Sequence, residues 1–211
     1  MNTKNSTITN IFLAIEFDED IKQLFARKLY LLDFKEFLRL ESKKNLHITI
    51  GYIQDVHHTE RRSIVNAFKG LKNFPVFQAH VEKPIVLGEF KHMLCIQHGP
   101  YDTFLNLREV AKDLLTQHTH FAFNEKHPDF LPHTKLQTIR KSAGTEIQDA
   151  LTYEFMHKNF RKIDFKVKTI ALMHRIDTGY ETLYRYELKN KNAAPQKKVQ
   201  HESESIGVDT F

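Results

Sequence analysis

Residues 46–53, with the sequence LHITIGYI, constrain the fold most strongly. Apolar Leu46, Ile48 and Ile50 alternate with polar neighbours, which is the period of a half-buried β-strand. His47 and Thr49 then share the opposite face, which in such a strand meets solvent or a cleft. An imidazole that titrates near neutral pH and a hydroxyl beside it are suited to handling a phosphate. The segment therefore predicts a strand that carries half of a candidate site.

Composition bounds the class of protein. The 211 residues suit one moderately large domain, or two small lobes sharing a core, and 41% hydrophobic with 27% charged residues is ordinary for a globular protein. Cys95 is the single cysteine, so an intrachain disulfide is excluded and a reducing, cytoplasmic location is expected. No apolar run approaches the roughly 18 residues of a membrane span, and polar residues 1–10 do not resemble a secretory signal.

The net charge is weakly informative about partners. A charge of +5 favours polyanions such as nucleic acids only slightly, because lysine and glutamate are interspersed and no long basic block occurs. An ordinary, mildly basic surface explains the same charge. We therefore leave both interpretations open on charge alone.

Hydrophobic periodicity along the chain predicts alternating strands and helices. The expected strands cover residues 9–17, 46–53, 77–88, 92–98, 131–138, 165–175 and 181–188, and the expected helices cover residues 18–32, 59–70, 101–117 and 144–158. Residues 38–44 are predicted to be a charged connector, and residues 54–58 and 124–132 to be polar loops. From residue 190 the chain is polar and aperiodic, which predicts a domain over 1–189 and a disordered tail over 190–211.

A second histidine lies in another predicted strand, within the sequence FLPHTKLQTIR. The triplet His-x-Ser/Thr itself carries little weight, because 13 histidines and 22 serines and threonines give about 1.4 matches by chance and three occur. Only His47 stands in an apolar alternating strand. His133 also lies in a predicted strand and follows it by 86 residues. It is context, rather than the triplet, that separates His47 from the other two matches.

These features resemble the 2H phosphoesterases, which include the RNA 2′,3′-cyclic phosphodiesterases once named 2′-5′ RNA ligases. The resemblance covers roughly residues 9–189. It rests on the segments IFLAIEF, NLHITIGYIQDV and FLPHTKLQTIR, and on the closing strands that end in YRYEL. It implies an α+β fold of two pseudo-symmetric lobes, each an antiparallel sheet with outer helices, around a central cleft. His47 and His133 would be the catalytic residues.

The second motif departs from the family pattern at one position. The family has serine or threonine two residues after the histidine, and this chain has Lys135, which strand alternation places on the face of His133. An ammonium there can hold a phosphate oxygen, and Thr49 would be its counterpart in the first motif. It can also crowd the site or lower the pKa of His133 by like-charge repulsion. Thr134 points the other way and is a poor substitute.

The resemblance implies a phosphodiesterase that acts on a 2′,3′-cyclic phosphate or a 2′-5′ linkage in RNA ends or small nucleotides. Two histidines can supply the required base and acid near neutral pH without a metal or another cofactor. Tyr52 and Phe130 are candidate walls for a base, although most of the 17 phenylalanines must be core. We expect a monomer that does not bind membranes. The alternative is a catalytically impaired member that binds a nucleotide or RNA.

Overall fold

The computed structural model describes residues 8–29, 35–125, 129–160, 163–177 and 179–190. Within these residues the chain forms nine strands and four α-helices. In chain order they are β1 Ile8–Glu16, α1 Glu19–Leu29, β2 Leu38–Leu40, β3 His47–His57, α2 Arg61–Ala67, β4 Phe77–Leu87, β5 Met93–Gly99, α3 Tyr101–His118, β6 His133–Ile139, α4 Thr145–His157, β7 Asp164–Val167, β8 Thr169–Ile176 and β9 Gly179–Glu187.

The strands form two antiparallel sheets. The first has the order β3-β1-β8-β9, and the second has the order β2-β6-β5-β4-β7. The first sheet combines strands from near both ends of the chain, whereas most of the second comes from its middle. The predicted α+β fold of two antiparallel sheets is confirmed, and each sheet contains one of the two histidine strands.

One hydrophobic core joins the two sheets. It contains Ile11 and Leu13 from β1 together with Leu94 and Ile96 from β5. The helices add apolar stripes to it at helical spacing; on α3 the buried residues are Phe104, Leu107, Arg108, Ala111 and Leu115. A smaller apolar cluster lies on the other face of the first sheet and consists of Phe12, Ala14, Ala171 and Met173. The first sheet therefore packs against the main core with one face, and its second face carries this separate apolar cluster.

Two predictions next to the first histidine strand are partly wrong, namely the connector over residues 38–44 and the loop over residues 54–58. Leu38–Leu40 of the predicted connector forms strand β2, which pairs with β6. The predicted loop after residue 53 is instead the continuation of β3 to His57, paired with the start of β1. Polar side chains misled the prediction after residue 53, because the outer positions of a paired strand are polar too. Strand β2 was missed because it has only three residues and runs directly into the charged residues of the predicted connector.

The strand predicted over residues 165–175 is in fact two strands. β7 pairs with β4 in the second sheet, and β8 pairs with β1 and β9 in the first sheet, with Lys168 between them. Pro84 interrupts the strand predicted over residues 77–88, which is typical of a bent or edge strand. β4 pairs with β7 only over Phe77–His80, so Pro84 lies beyond the last partner on that side, where proline is tolerated.

Two further expectations concern the chain ends and membranes. The predicted tail over 190–211 and the end of the predicted first helix lie outside the described residues, apart from Asn190. Among the helices that the structure describes, none is both long and apolar enough to cross a membrane.

Candidate active site

The first histidine strand places His47, Thr49 and Tyr52 on the second face of the first sheet. His47 contacts the ring of Phe12 at 5.0 Å between centroids, and Tyr52 contacts the same ring at 5.3 Å. Strict alternation would send Tyr52 to the core face with Ile50. The register between β1 and β3 slips by one residue between Thr49 and Gly51, and this irregularity turns Tyr52 to the face of His47.

Tyr180 completes an aromatic group around His47. Its ring meets the His47 ring edge-on at 5.0 Å and the Phe12 ring at 5.1 Å. Tyr180 follows Gly179, at the start of β9, so the closing hairpin reaches back to the first motif. Sequence reasoning missed Phe12 and Tyr180, because their strands were recognised but the face that each residue occupies depends on sheet register.

The two motif histidines are fixed in the same way. The Nδ1 atom of His47 lies 2.6 Å from the backbone oxygen of Asn45, and the Nδ1 atom of His133 lies 2.8 Å from the backbone oxygen of Leu131. In both cases the acceptor is two residues upstream. Because a carbonyl only accepts, Nδ1 must carry the proton in each ring. Nε2 is then the ring atom available for chemistry. In neither histidine does Nε2 form a hydrogen bond with another described residue.

The histidines lie close enough to influence one another. Strands β3 and β6 are in contact, and the charge of His133 lowers the pKa of His47. Burial is the largest cause of the lowered pKa of His47, which is about 4. The carbonyl of Asn45 and the carboxylate of Glu41 act in the opposite direction and raise this pKa. Burial also lowers the pKa of His133, and the carbonyl of Leu131 opposes this.

Lys135 is held by an ion pair. Its Nζ lies 2.8 Å from Oε2 of Glu41, and Oε1 of Glu41 accepts a hydrogen bond of 3.1 Å from Asn45. The positive charge of Lys135 lowers the pKa of His47. The sequence suggested the same effect on His133, but the pKa of His133 is lowered by burial instead. Strand β6 belongs to the other sheet, so the repulsion between Lys135 and His47 acts between the sheets. Glu41 was missed from the sequence because it stood in the predicted connector.

Thr134 points away from this face, as alternation predicts. It is buried and its hydroxyl lies 2.8 Å from Nε2 of His98. Phe130 packs elsewhere, with the guanidinium of Arg108 at 5.1 Å and the ring of Tyr101 at 6.5 Å. The structure thus brings together His47, Thr49, Tyr52 and Lys135 with the nearby His133, and it records no contact of Phe130 with them. Among the described residues, no group of three or more His, Cys, Asp and Glu could hold a metal ion.

Solved structures of other proteins share this fold. TT0787 of Thermus thermophilus is similar with a TM-score of 0.68 and 14% identity, covering 86% of this chain and 99% of its own. LigT of E. coli is similar with a TM-score of 0.65 and 15% identity, covering 87% and 99%. A crystal structure described as a phosphoesterase gives a TM-score of 0.68 at 16% identity, covering 86% and 99%. The chain has the LigT-like fold.

A sequence relative agrees with the structural neighbours. The RNA 2′,3′-cyclic phosphodiesterase of Methanocaldococcus jannaschii is 25% identical over 134 residues, which are 62% of this chain and 71% of the relative. No family model matches the chain. The resemblance to the 2H phosphoesterases, which the histidine strands indicated, is thereby confirmed.

Proposed function

We propose that this chain is a phosphodiesterase that hydrolyses 2′,3′-cyclic phosphates or 2′-5′ linkages of RNA ends or small nucleotides, with His47 and His133 as base and acid. The observation that carries the proposal is the matched pair of imidazoles, each held through Nδ1 by a carbonyl two residues upstream. The catalytic unit would be residues 1–189. The name of the M. jannaschii relative and crystal structures of E. coli LigT with phosphate and with 3′-AMP support it.

The proposed reaction with a cyclic phosphate uses both Nε2 atoms. His47, whose pKa of about 4 leaves it neutral above that pH, takes a proton from a water molecule as the water oxygen attacks phosphorus. The bond from phosphorus to one ribose oxygen breaks, and protonated His133 donates its proton to that oxygen. The product is a phosphomonoester with a free ribose hydroxyl. The bound phosphate supplies the negative charge that raises the pKa of His133 when substrate is present.

Thr49 and Lys135 are the proposed ligands of the non-bridging phosphate oxygens. A hydroxyl and an ammonium can both donate hydrogen bonds to the charge that grows on these oxygens in the transition state. Tyr52, which is 44% exposed beside Phe12, is the proposed surface for stacking of a base. Phe130 would contribute only at a distance, through the segment that leads to β6.

The test is hydrolysis by the purified protein in the presence of a chelator. The substrates are a nucleoside 2′,3′-cyclic phosphate, an RNA oligomer ending in a cyclic phosphate, and 2′-5′ oligoadenylate, with products separated by chromatography. Single variants His47→Ala and His133→Ala should each lower kcat by about 10²-fold or more. His120→Gln is the matched control, because that side chain is 74% exposed and pairs with Glu60, beyond the end of β3 opposite to His47.

The outcomes separate the proposal from its rival. Turnover of none of the three substrates above the level of the His47→Ala variant would contradict the proposal. Nucleotide binding without turnover, unchanged when Lys135→Thr restores the hydroxyl of the family motif, would identify a binding protein. Turnover that rises from a low base in Lys135→Thr would identify an impaired enzyme.

A further inference from the structure

Glu41 joins the two motif strands through its carboxylate. One oxygen lies 2.8 Å from Lys135 of β6, and the other accepts a hydrogen bond of 3.1 Å from Asn45. The backbone oxygen of Asn45 in turn accepts a hydrogen bond of 2.6 Å from Nδ1 of His47. A continuous series of contacts therefore links Lys135, Glu41, Asn45 and His47. The backbone of Glu41 is anchored as well, because its N–H donates to the carbonyl of Leu136 at 2.9 Å.

The carboxylate of Glu41 is poorly hydrated and ionised at neutral pH. Its side chain is 19% exposed, and the Lys135 side chain is 38% exposed. Burial raises the pKa of Glu41, but hydrogen bonds from Lys135 and Asn45, together with the charges of Lys135 and His47, hold the pKa below its ordinary value. Water screens this partly buried ion pair less than it screens a pair on the open surface. The pair is a fixed part of the site.

The charges of these groups cancel in the free protein. Lys135 contributes one positive charge and Glu41 one negative charge, while the lowered pKa values keep His47 and His133 neutral at pH 7. A phosphodiester carries one negative charge. The monoester that its hydrolysis releases carries nearly two at pH 7, because its second pKa is about 6. Substrate and product thus differ in negative charge, and Glu41 places a negative charge of its own in the site.

We propose that Glu41 is a specificity-determining residue that makes the site prefer a singly charged phosphodiester over a doubly charged phosphomonoester. Its carboxylate neutralises Lys135 and repels the second charge of the monoester, which favours release of product. The same contacts make it a positioning residue for Lys135 and, through Asn45, for His47. This inference deepens the proposed function and rests on it, since it assumes that the phosphate binds beside Lys135.

The test compares two ligands of different charge. Affinities for a nucleoside 2′-monophosphate and for a 3′-5′ dinucleoside monophosphate are measured by calorimetry at pH 8 and low salt, in wild type and in Glu41→Gln. Glutamine keeps the shape and the acceptor for Asn45 but removes the charge. We expect the monophosphate to bind about tenfold more tightly in the variant, whereas affinity for the dinucleotide changes less than about threefold. Equal changes for both ligands, or no change, would overturn the proposal.

A second comparison does not depend on the single variant being folded. Lys135→Gln is measured alone and together with Glu41→Gln, and amide NMR spectra check the fold of every variant. Removing the Glu41 charge in the Lys135→Gln background should again shift the affinity ratio toward the monophosphate; an unchanged ratio contradicts the proposal. The readout is binding and needs no turnover. A shifted ratio in a protein that hydrolyses nothing would therefore refute the proposed function alone.

Discussion

At the scale of single residues, the two motif histidines share one arrangement, in which a backbone carbonyl sets the tautomer of each imidazole. The carbonyl oxygens of Asn45 and Leu131 direct Nδ1, so each Nε2 is available as base or acid. The strand context singled out His47, and the family resemblance paired it with His133. Their tautomers were not predicted, because the acceptor lies on the backbone and its position depends on how the chain enters each strand.

The rate profile should have an acidic optimum. His47 must be deprotonated to act as base, so activity is lost as the pH falls through its pKa of about 4. His133 must be protonated to act as acid, so activity is lost as the pH rises through a pKa that burial holds below 6.5. We therefore expect kcat/KM for a cyclic nucleotide to be highest below pH 6.5. A maximum at pH 8 would contradict these roles.

Lys135 should depress the pKa of one motif histidine and not the other. Removing its charge in Lys135→Met leaves Glu41 unneutralised, and both changes favour protonated His47. The pKa of His47 should rise above about 4, as followed by the NMR shifts of its ring protons with pH. His133 serves as the internal control, because Lys135 is not among the causes of its shift. Equal shifts of both histidines would show that the ammonium lies between them instead.

At the scale of elements, packing behind β3 determines where its polar face points. Arg108 of α3 donates to the backbone oxygen of Ile50 and pairs with Glu125 at 3.1 Å. Its guanidinium also lies 5.4 Å from the ring of Phe123, which covers Gly51. The helix therefore supports β3 next to the register irregularity that turns Tyr52 toward His47. Sequence periodicity predicted the helix and the strand, but not this contact between them.

Gly51 should not tolerate a larger side chain. A Cβ atom at this position would lie 2.6 Å from the Phe123 ring, which is itself buried, so either the ring or β3 must move. Gly51→Ala should lower the free energy of unfolding by about 1–3 kcal/mol and also raise KM, since β3 carries His47. Urea denaturation and steady-state kinetics measure the two effects.

Gly144 is the matched control for this substitution. A Cβ atom there meets nothing within 4 Å, although the residue caps helix α4. Gly144→Ala should cost less than about 1 kcal/mol, the scale of a weakened cap, and leave KM unchanged. Similar losses of stability in both variants would mean that the Phe123 ring moves easily and does not constrain β3.

At the scale of the whole molecule, the site requires pairings between distant parts of the chain. Local patterns predicted most strands, yet they gave no indication that residues 165–175 divide between two sheets. The choice depends on partners far away in sequence, β4 for β7 and β1 for β8. The pairing of His47 with His133 was predicted only because a resemblance supplied the long-range information. Glu41 had no such support, since β2 became recognisable as a strand only beside β6.

Acid should destabilise the whole fold through buried histidines. Burial lowers the pKa of His98 in the core to about 3, whereas the unfolded chain has the ordinary value of 6.5. Between these pH values the unfolded state binds a proton that the folded state does not bind, so stability falls as the pH falls. For His98 alone the loss from pH 7 to pH 5 is about 2 kcal/mol. Urea denaturation at the two pH values measures the total loss.

The double variant His98→Leu, Thr134→Val isolates this contribution. It replaces both partners of the 2.8 Å hydrogen bond with apolar groups, so neither is left buried and unpaired. We expect its stability to fall by about 2 kcal/mol less than that of wild type between pH 7 and pH 5, while His47 and His133 still contribute to both proteins. The same loss in both proteins would mean that His98 accepts a proton in the folded state. The core between the sheets would then admit a charge, contrary to the complete burial of His98.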